Sequence, residues 1–423
     1  MRVTSVIDGS RFARAAATRQ AIVEAATALF AEQGFRAVSL REIAARAGIS
    51  HPALLKHFSG REELLAEVAR RIDDGLCHGA PGAATDDGLP FAAQASAPSA
   101  APEAVRFFAA LTGEASATSH PLHAVMRERV ARVRAERQGV LERASASGAL
   151  GEGRDPADEA TRLTAAWAGL HLVEQYVPER VDSASRIAAH ERLLADPPGR
   201  RDPGDERGDG ASPPARPLPP LVTEDASPVA PGYRAGRQRR AKIVADATAL
   251  FAREGYGDTS LLDIAQRVGV SKSAIYHHFP AKDALLHEVL RERDRRIDGV
   301  VEASPALSAA DTLRGLADGA ARNETEQPGL IELYAVISSE ATPLGHAAHG
   351  YFEQRFARAL DGFTRMFQDA AAAGDLPAHR DPEHEACWLL ALWDGLQYEW
   401  LYDPESVDVP GQLRAHLADV LPA

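Results

Sequence analysis

The sequence predicts an all-α protein made of two tandem copies of one helical module, and three observations carry that reading. The stretch Ala26 to Leu65 recurs at Ala247 to Leu286, 221 positions later and without a gap, with 19 of the 40 aligned pairs identical. Apolar residues in each copy fall at three-to-four spacing, the period of a helix with one buried face. No period-two alternation runs long enough to suggest a strand.

In the first copy Ile22, Ala25, Ala26 and Leu29 share a face that Phe30 extends, and Gly34 stops the helix, as Gly255 does after Phe251. Ser39 and Ser260 stand at N-cap positions, each followed three residues later by an acid. Glu42 fits a capping box, whereas Asp263 has the shorter reach and fits less well. Ile43 and Ala44, matched by Ile264 and Ala265, face inward on the second helix. Gly48 and Gly269 supply a tight turn, and Ser50 and Ser271 cap a third helix. Helices then follow at Glu103 to Ala117, Pro121 to Ala146, Asp158 to Tyr176 and Val181 to Leu194. In the second half they fall at Ala309 to Glu324, Leu330 to Glu340, Gly345 to Ala373, Glu383 to Tyr402 and Pro410 to Leu421. Pro121-Leu122-His123-Ala124 faintly echoes Pro343-Leu344 and His346-Ala347.

Two stretches break the pattern. Gly79 to Pro102 is Ala, Gly, Pro and Ser with two aspartates, and reads as a loop. Asp196 to Gly232 combines recurrent Pro and Gly with charge and cannot bury enough surface to offset its ordering entropy. The domain reading is therefore a helix-turn-helix domain at 11–66, a further helical domain at 67–195, a flexible linker at 196–232, a second helix-turn-helix domain at 233–288 and a second further helical domain at 289–423. A chain with a length of 423 residues accommodates these.

The net charge of −13 is the wrong sign for a chain that binds nucleic acid over its whole surface, so a local field must do the work. Arg11, Arg14 and Arg19 precede the first copy, and Arg234, Arg237, Arg239, Arg240 and Lys242 crowd the second, where they are expected to face phosphate. Cys77 and Cys387 have no metal-site spacing. With no leader pattern and no run of 18 apolar residues, a reduced cytoplasmic setting and no membrane are expected.

Each copy reads as a unit that offers its third helix to a major groove. Ala44, Gly48 and Ala53, or Ala265, Gly269 and Ala274, permit the steep close crossing this needs. Lys272 and Tyr276 are four apart and share a face, which suits phosphates and base edges; Ser273 and His277 accompany them, and Lys282 opens the next helix near phosphate. Phe279 reads as a core plug.

Ala28-Leu29-Phe30, Gly34, Ser39-Leu40, Ile43-Ala44, Ala47-Gly48-Ile49-Ser50 and His57-Phe58 resemble the N-terminal domain of the tetracycline-repressor-like (TetR/AcrR) regulators. So do Ala249-Leu250-Phe251, Gly255-Tyr256, Thr259-Ser260-Leu261, Ile264-Ala265, Val268-Gly269-Val270-Ser271 and Ala274 to Phe279, followed by Lys282. The resemblance spans about 50 residues in each half and is diffuse beyond them. It implies an all-helical regulator of palindromic or paired half-sites in double-stranded DNA, mostly a repressor released by a small molecule. It places DNA contacts at Lys272, Tyr276 and His277 and a backbone contact at Lys282, with Ser271, Ser273 and Thr259 completing the set. The first copy departs: His51 stands for Lys272, Pro52 for Ser273 and Leu55 for Tyr276. Its contacts, expected to be weaker, are Ser39, His51, Lys56, His57 and Arg61.

Behind the heads, Trp167, His171, Tyr176, Tyr351, Trp388, Trp393 and Tyr398 either line a largely apolar effector cavity or pack a bundle core or interface. In the family the last two helices pair subunits. Leu163, Ala166, Leu170 and Val173, or Leu389, Leu392, Leu396 and Tyr398, would serve, either within one chain as a pseudodimer or between chains as a homodimer. His120 with His123, and His346 with His349, lack further ligands and read as helix-start contacts rather than a metal site. No catalytic constellation and no cofactor motif is found, so no enzyme is expected. The function expected is sequence-specific transcriptional regulation by effector-released repression. The alternatives are a helical interaction or scaffolding protein with degenerate heads, and an activator without a small-molecule ligand.

Overall fold

The structure, a computed structural model, describes residues 4–35, 38–78, 89–96, 102–203, 215, 234–301 and 307–422. Nineteen helices occur among them, and no strand. No helix among the described residues is long and apolar enough to cross a membrane, and none of their His, Cys, Asp and Glu side chains form a group of three or more able to hold a metal ion. The chain divides into two compact units, Met1–Pro81 with Ala97–Leu111, and Gly82–Ser96 with Thr112–Ala423.

The first unit is the first head. It contains α1 (Thr4–Gln33), α2 (Leu40–Arg46), α3 (His51–Leu54), α4 (Arg61–His78) and most of α6 (Pro102–Glu114). Ile22, Ala26, Leu29, Ile43, Leu54, Phe58, Leu64 and Leu65 form its core, the first four of them on the faces that the periodicity predicts to be buried. Phe30 stacks on Phe107 at 5.9 Å and meets Phe35 edge-on at 5.4 Å. Gly34, at φ 81°, ends α1 in the left-handed region that an L side chain rarely adopts.

The second unit holds α5 (Phe91–Ser96), α7 (His123–Ser147), α8 (Pro156–Tyr176) and α9 (Ser183–Leu193) of the first half. The second head follows as α10 (Arg234–Asp258), α11 (Leu261–Val268), α12 (Lys272–His278) and α13 (Lys282–Val301). Behind it come α14 (Ala309–Arg314), α15 (Leu316–Glu326), α16 (Pro328–Glu340), α17 (His349–Ala372), α18 (Pro382–Tyr402) and α19 (Val409–Val420). Gly255 leaves helical dihedrals inside α10 at φ 76° and ψ 171°, the break its sequence position predicts. The helix expected over Ala309 to Glu324 is divided at Gly315.

Three expectations change. The stretch 79–102, read as a loop, contains α5: Phe91 is buried, and the Glu191 carboxylate accepts from Ala92 N at 2.9 Å, so one large ring and a borrowed cap order a bland segment. Its residues 79–88 and 97–101 lie outside the described residues. The linker reading at 196–232 begins too early. Gly199 N donates to Asp419 at 2.8 Å, and the Arg201 guanidinium donates to the carbonyls of Gly374 and Asp375 at 3.0 and 3.1 Å, so its charges find protein partners instead of solvent. The rest, apart from Ala215, lies outside the described residues. Finally, the regulatory repeat runs in a register of 226 positions, which pairs His120 with His346 and His123 with His349 and replaces the echo read at Pro121. Leu122 N donates to His120 Nδ1 as Ala348 N does to His346 Nδ1, and the Nδ1 atoms of His123 and His349 lie 3.0 Å from the Ala115 and Ala341 carbonyls. The four histidines therefore fix helix starts.

The two regulatory halves pair along α8 and α18. Gly169 lies so close to α18 that a Cβ would sit 1.9 Å from the Ala391 carbonyl oxygen; its repeat-mate Gly395 would place one 1.8 Å from that of Ala165. Leu163, Ala166, Leu170, Val173, Leu389, Leu392, Leu396 and Tyr398 are all buried. Each half also reaches into the other: Tyr176 donates to the Ser338 carbonyl at 2.5 Å, and Tyr402 to that of Thr112 at 2.6 Å. At the end of the seam Arg154 and Arg380 both hold Asp419, at 3.0 and 2.8 Å, while each keeps its own partner, Glu159 or Glu385. A buried cluster of this kind adds little net stability but fixes register, since any slip strands a charge. Within this chain, then, α8 of one half packs directly on α18 of the other.

Candidate nucleic-acid interface

The second head presents its third helix as the sequence predicts. Ser271 caps α12 by accepting from Ala274 N at 3.2 Å. Ile275 and Phe279 are buried, which turns Lys272, Ser273, Tyr276 and His277 outward; Tyr276 is 45% exposed. The Lys272 ammonium lies 5.9 Å from the Tyr276 ring centroid, so the cation and the phenol share one face. Ser260 and Asp263 close a full capping box on α11, the Asp263 carboxylate accepting from Ser260 N at 2.8 Å despite its shorter reach. The same hydroxyl and amide hold the Asp263 carboxyl below its ordinary range, as Ser39 does for Glu42.

Both heads are braced by the same triad. Arg240 lies 4.6 Å over the Phe279 ring and pairs with Glu288 at 2.9 Å; Arg19 lies 4.1 Å over Phe58 and pairs with Glu67 at 3.7 Å. These two arginines, expected to face phosphate, are committed within the heads, each side chain being 34% exposed. Arg14, Arg237, Arg239 and Lys242 are exposed; the side chains of Arg11 and Arg234 lie outside the described residues, as does that of Cys77.

Two residues of the expected contact set are engaged within the second head. Thr259 is buried and donates to the Gly255 carbonyl at 2.8 Å, because the helix break at Gly255 needs a partner for that oxygen. Lys282 aims its ammonium at the carbonyls of Tyr256 and Thr259, at 2.6 and 2.7 Å, and lies 4.0 Å from the Tyr256 ring. Burial pushes its pKa down, although Glu340 and Asp283 oppose the shift. Its charge is therefore spent on the α10–α11 corner.

In the first head α3 keeps α-helical structure only over His51–Leu54. Lys56 N and His57 N then bond to the carbonyls three residues back, at 3.2 and 2.8 Å, and tighten the chain. Pro52 sits in the first turn, where its missing amide costs nothing, and Leu55 is 43% exposed. Lys56 is exposed and His51 and His57 half-buried, the His57 carbonyl accepting from Arg19 at 2.7 Å. Ser39 is the N-cap of α2, and Arg61 lies 4.6 Å over Phe35. One residue escaped the sequence reading: Arg41 is exposed on α2, at the position where the second head has the exposed Leu262. Comparing unlike residues of the repeat, rather than like ones, would have found it.

The residues considered for an effector cavity divide among three settings. Tyr176 and Trp388 serve the seam: Tyr176 crosses to Ser338, and Trp388 stacks on His190 at 3.6 Å. Trp167 and Trp393 are half-buried beside the core, Trp167 under Arg137 at 4.5 Å, and His171 lies 3.5 Å from Glu174. Tyr351 and Tyr398 belong to a buried polar network in the second half. Tyr351 donates to Asp294, Arg355 pairs with Asp294 at 3.0 Å, Tyr334 donates to Asp394 at 3.4 Å, and Tyr398 lies 3.3 Å from the Ser338 hydroxyl. The register of the repeat puts Phe108, Val125, Ala168 and Leu172 where this half has Tyr334, Tyr351, Asp394 and Tyr398.

The network connects to the second head through α16. Its last residue, Glu340, accepts from Tyr256 N at 2.6 Å and Gly257 N at 2.5 Å, clasping the corner that Lys282 holds from the other side. His287 of α13 lies 2.9 Å from the Ala347 carbonyl in the following loop.

The same unit is matched twice in comparison with known proteins. The model of the tetR family of bacterial regulatory proteins matches at residues 22–68 and again at 243–289. TtgR, a helix-turn-helix transcriptional regulator of Pseudomonas putida, is 29% identical over 193 residues, covering 42% of this chain and 87% of its own. The A-factor receptor protein of Streptomyces griseus is 25% identical over 181 residues, 43% of this chain and 62% of its own. A TetR-family regulator structure from Agrobacterium tumefaciens aligns with 21% identity and a TM-score of 0.39, over 44% of this chain and 99% of that one. Both heads thus match the tetR-family model, each is followed by helices that pair across a common seam, and the chain has a TetR/AcrR-type helix-turn-helix fold with the matched unit in tandem.

Proposed function

We propose that the protein is a ligand-released transcriptional repressor whose second head provides the principal operator contacts. The observation that carries the reading is the outward face of α12, where Lys272, Ser273, Tyr276 and His277 stand exposed over a buried Ile275 and Phe279. A cation and a phenolic hydroxyl on a short, firmly backed helix suit phosphate anchoring and base-edge contact. Ser271 adds a hydroxyl at the helix start, and the first head contributes Arg41, His51 and Lys56 to a weaker or different half-site. The operator is then two unequal half-sites in duplex DNA.

Release would run through α16. A guest that enters among Tyr334, Tyr351, Arg355, Asp394 and Tyr398 must replace bonds these groups make with one another. That selects a guest with hydrogen-bonding groups of its own and argues against a wholly apolar one. Displacing α16 moves Glu340, whose carboxylate holds the second head's corner. A few kcal/mol of differential affinity suffices for such coupling.

The test is selection of bound duplexes from random sequence, followed by salt titration with the full chain. A specific duplex whose affinity falls steeply with salt, and which Lys272→Ala/Tyr276→Ala no longer binds, supports the assignment. Undiminished specific binding by that double variant would remove it.

A further inference from the structure

We propose that the cleft between α9 and the start of α18 is a binding site for a small, multiply charged oxyanion, a dicarboxylate or a phosphate. It shares no residue with α12 or the buried tyrosine network, and it lies at the seam where the first half's α9 meets the second half's α18. Its volume is about 460 Å³, within the range of small-molecule sites.

The cleft's acidic residues are already engaged. Asp182 caps α9 through Ala184 N and accepts from the Ser185 hydroxyl. Asp381 caps α18 through Glu383 N and His384 N, and Asp196 holds Arg200 at 2.5 Å. Arg180 is likewise held, by Asp361 at 2.8 Å and the Ala357 carbonyl at 3.0 Å. The remaining cations are held less firmly. Arg186 approaches Asp381 only at 3.9 Å, and Arg192 is exposed with no hydrogen bond or ion pair among the described residues. His384 lines the same cleft at 3% exposure with neither ring nitrogen hydrogen-bonded. An imidazole buried with both nitrogens unmatched is costly unless something at its mouth answers it. Two guanidinium groups beside a ring N–H are suited to a compact oxyanion.

The repeat supplies an internal control. Moving each residue by 226 positions replaces His384 with Asp158, Arg186 with Gln412 and Arg192 with Ala418. There the side chains close on themselves: Gln412 donates to Asp158 at 2.8 Å and accepts from Arg162 at 3.0 Å. The same place in the fold is sealed on one side of the seam and open and cationic on the other.

Calorimetric titration of the full chain with inorganic phosphate and, separately, with succinate tests the site. At least one is expected to bind with a stoichiometry of one per chain and to shift the imidazole NMR signals of His384, assigned by their loss in His384→Gln. Which of the two binds decides the class. Arg186→Met/Arg192→Met should weaken binding at least about tenfold, Arg186→Lys/Arg192→Lys should recover most of it, and Gln412→Ala should leave it unchanged. Thermal melts of each variant separate lost binding from lost fold. No binding of either anion up to about 10 mM, or equal binding by the folded methionine variant, overturns the proposal.

Discussion

In the second head Lys272, Ser273, Tyr276 and His277 stand outward on seven residues of helix; in the first, His51, Pro52, Leu55 and Lys56 hold the matched positions on four residues of helix and a tightening turn. The parts that build the heads hardly differ. Both have the serine cap with its acid, both end the first helix at a left-handed glycine, and both brace the closing phenylalanine with an arginine and a glutamate. The scaffold is constrained because every piece of it is bonded or buried. The contact face is not, since exposed side chains there answer only to an outside partner, and it is there that the two copies have diverged.

The regulatory halves teach the same lesson from inside. Their pairing is matched glycine for glycine, yet the second half has a buried charged network where the first has Phe108, Val125, Ala168 and Leu172. Packing along α8 and α18 constrains both halves alike, and the bundle interiors behind it have been free to specialise.

The strongest way to break this comparison is at the shared seam. Gly395→Val puts a side chain into the Ala165 carbonyl and Gly169→Val into that of Ala391, and backbone cannot swing aside as a side chain does. Each should cost about 3 kcal/mol or more in denaturant unfolding, and by similar amounts if the pairing is truly two-sided. A mild effect at either site would show that the helices can part.

Next come the reading faces. Lys272→Ala/Tyr276→Ala is expected to weaken binding of a selected duplex about a hundredfold, and His51→Ala/Lys56→Ala less than about tenfold, by fluorescence anisotropy at fixed salt. Equal losses would erase the distinction between the heads.

The interior contrast has a pH signature. Burial lifts the Asp394 carboxyl to about 6, with Arg355 and Arg293 opposing. An acid whose folded pKa is raised favours the folded state at low pH and loses that contribution as pH rises through the folded value. Asp394→Asn should therefore remove about 2 kcal/mol of stability change between pH 4 and 6, seen as a flatter profile of unfolding free energy. An unchanged profile would mean that the site is better solvated than its burial suggests.

The smallest effect expected sharpens the comparison by reversing it. Leu55→Tyr restores the missing hydroxyl to an exposed position and should raise the first head's contribution to duplex affinity several-fold, about 1 kcal/mol. No gain would locate the weakness in the shortened α3 rather than in its side chains.

The sequence by itself determined most of the helices, the repeat and the outward face of α12. Those features rest on period, caps and glycines, whose physics is local: Ser260, Gly269 and Ile275 act on neighbours within a turn or two. Burial of Phe279 was legible for the same reason. Only the tertiary structure decided where long side chains spend their charge. Arg19, Arg240 and Lys282 read as phosphate contacts because a free cation and a committed one look alike in sequence, and Tyr176 and Trp388 read equally as cavity wall or as packing because a large ring fills either. The ordering of Phe91 against α9, the grip of Glu340 on Tyr256 and Gly257, and the open cleft at Arg186 and His384 all depend on partners tens of residues or more away. Such pairings are set by how packed helices bring distant positions together, which no local pattern encodes.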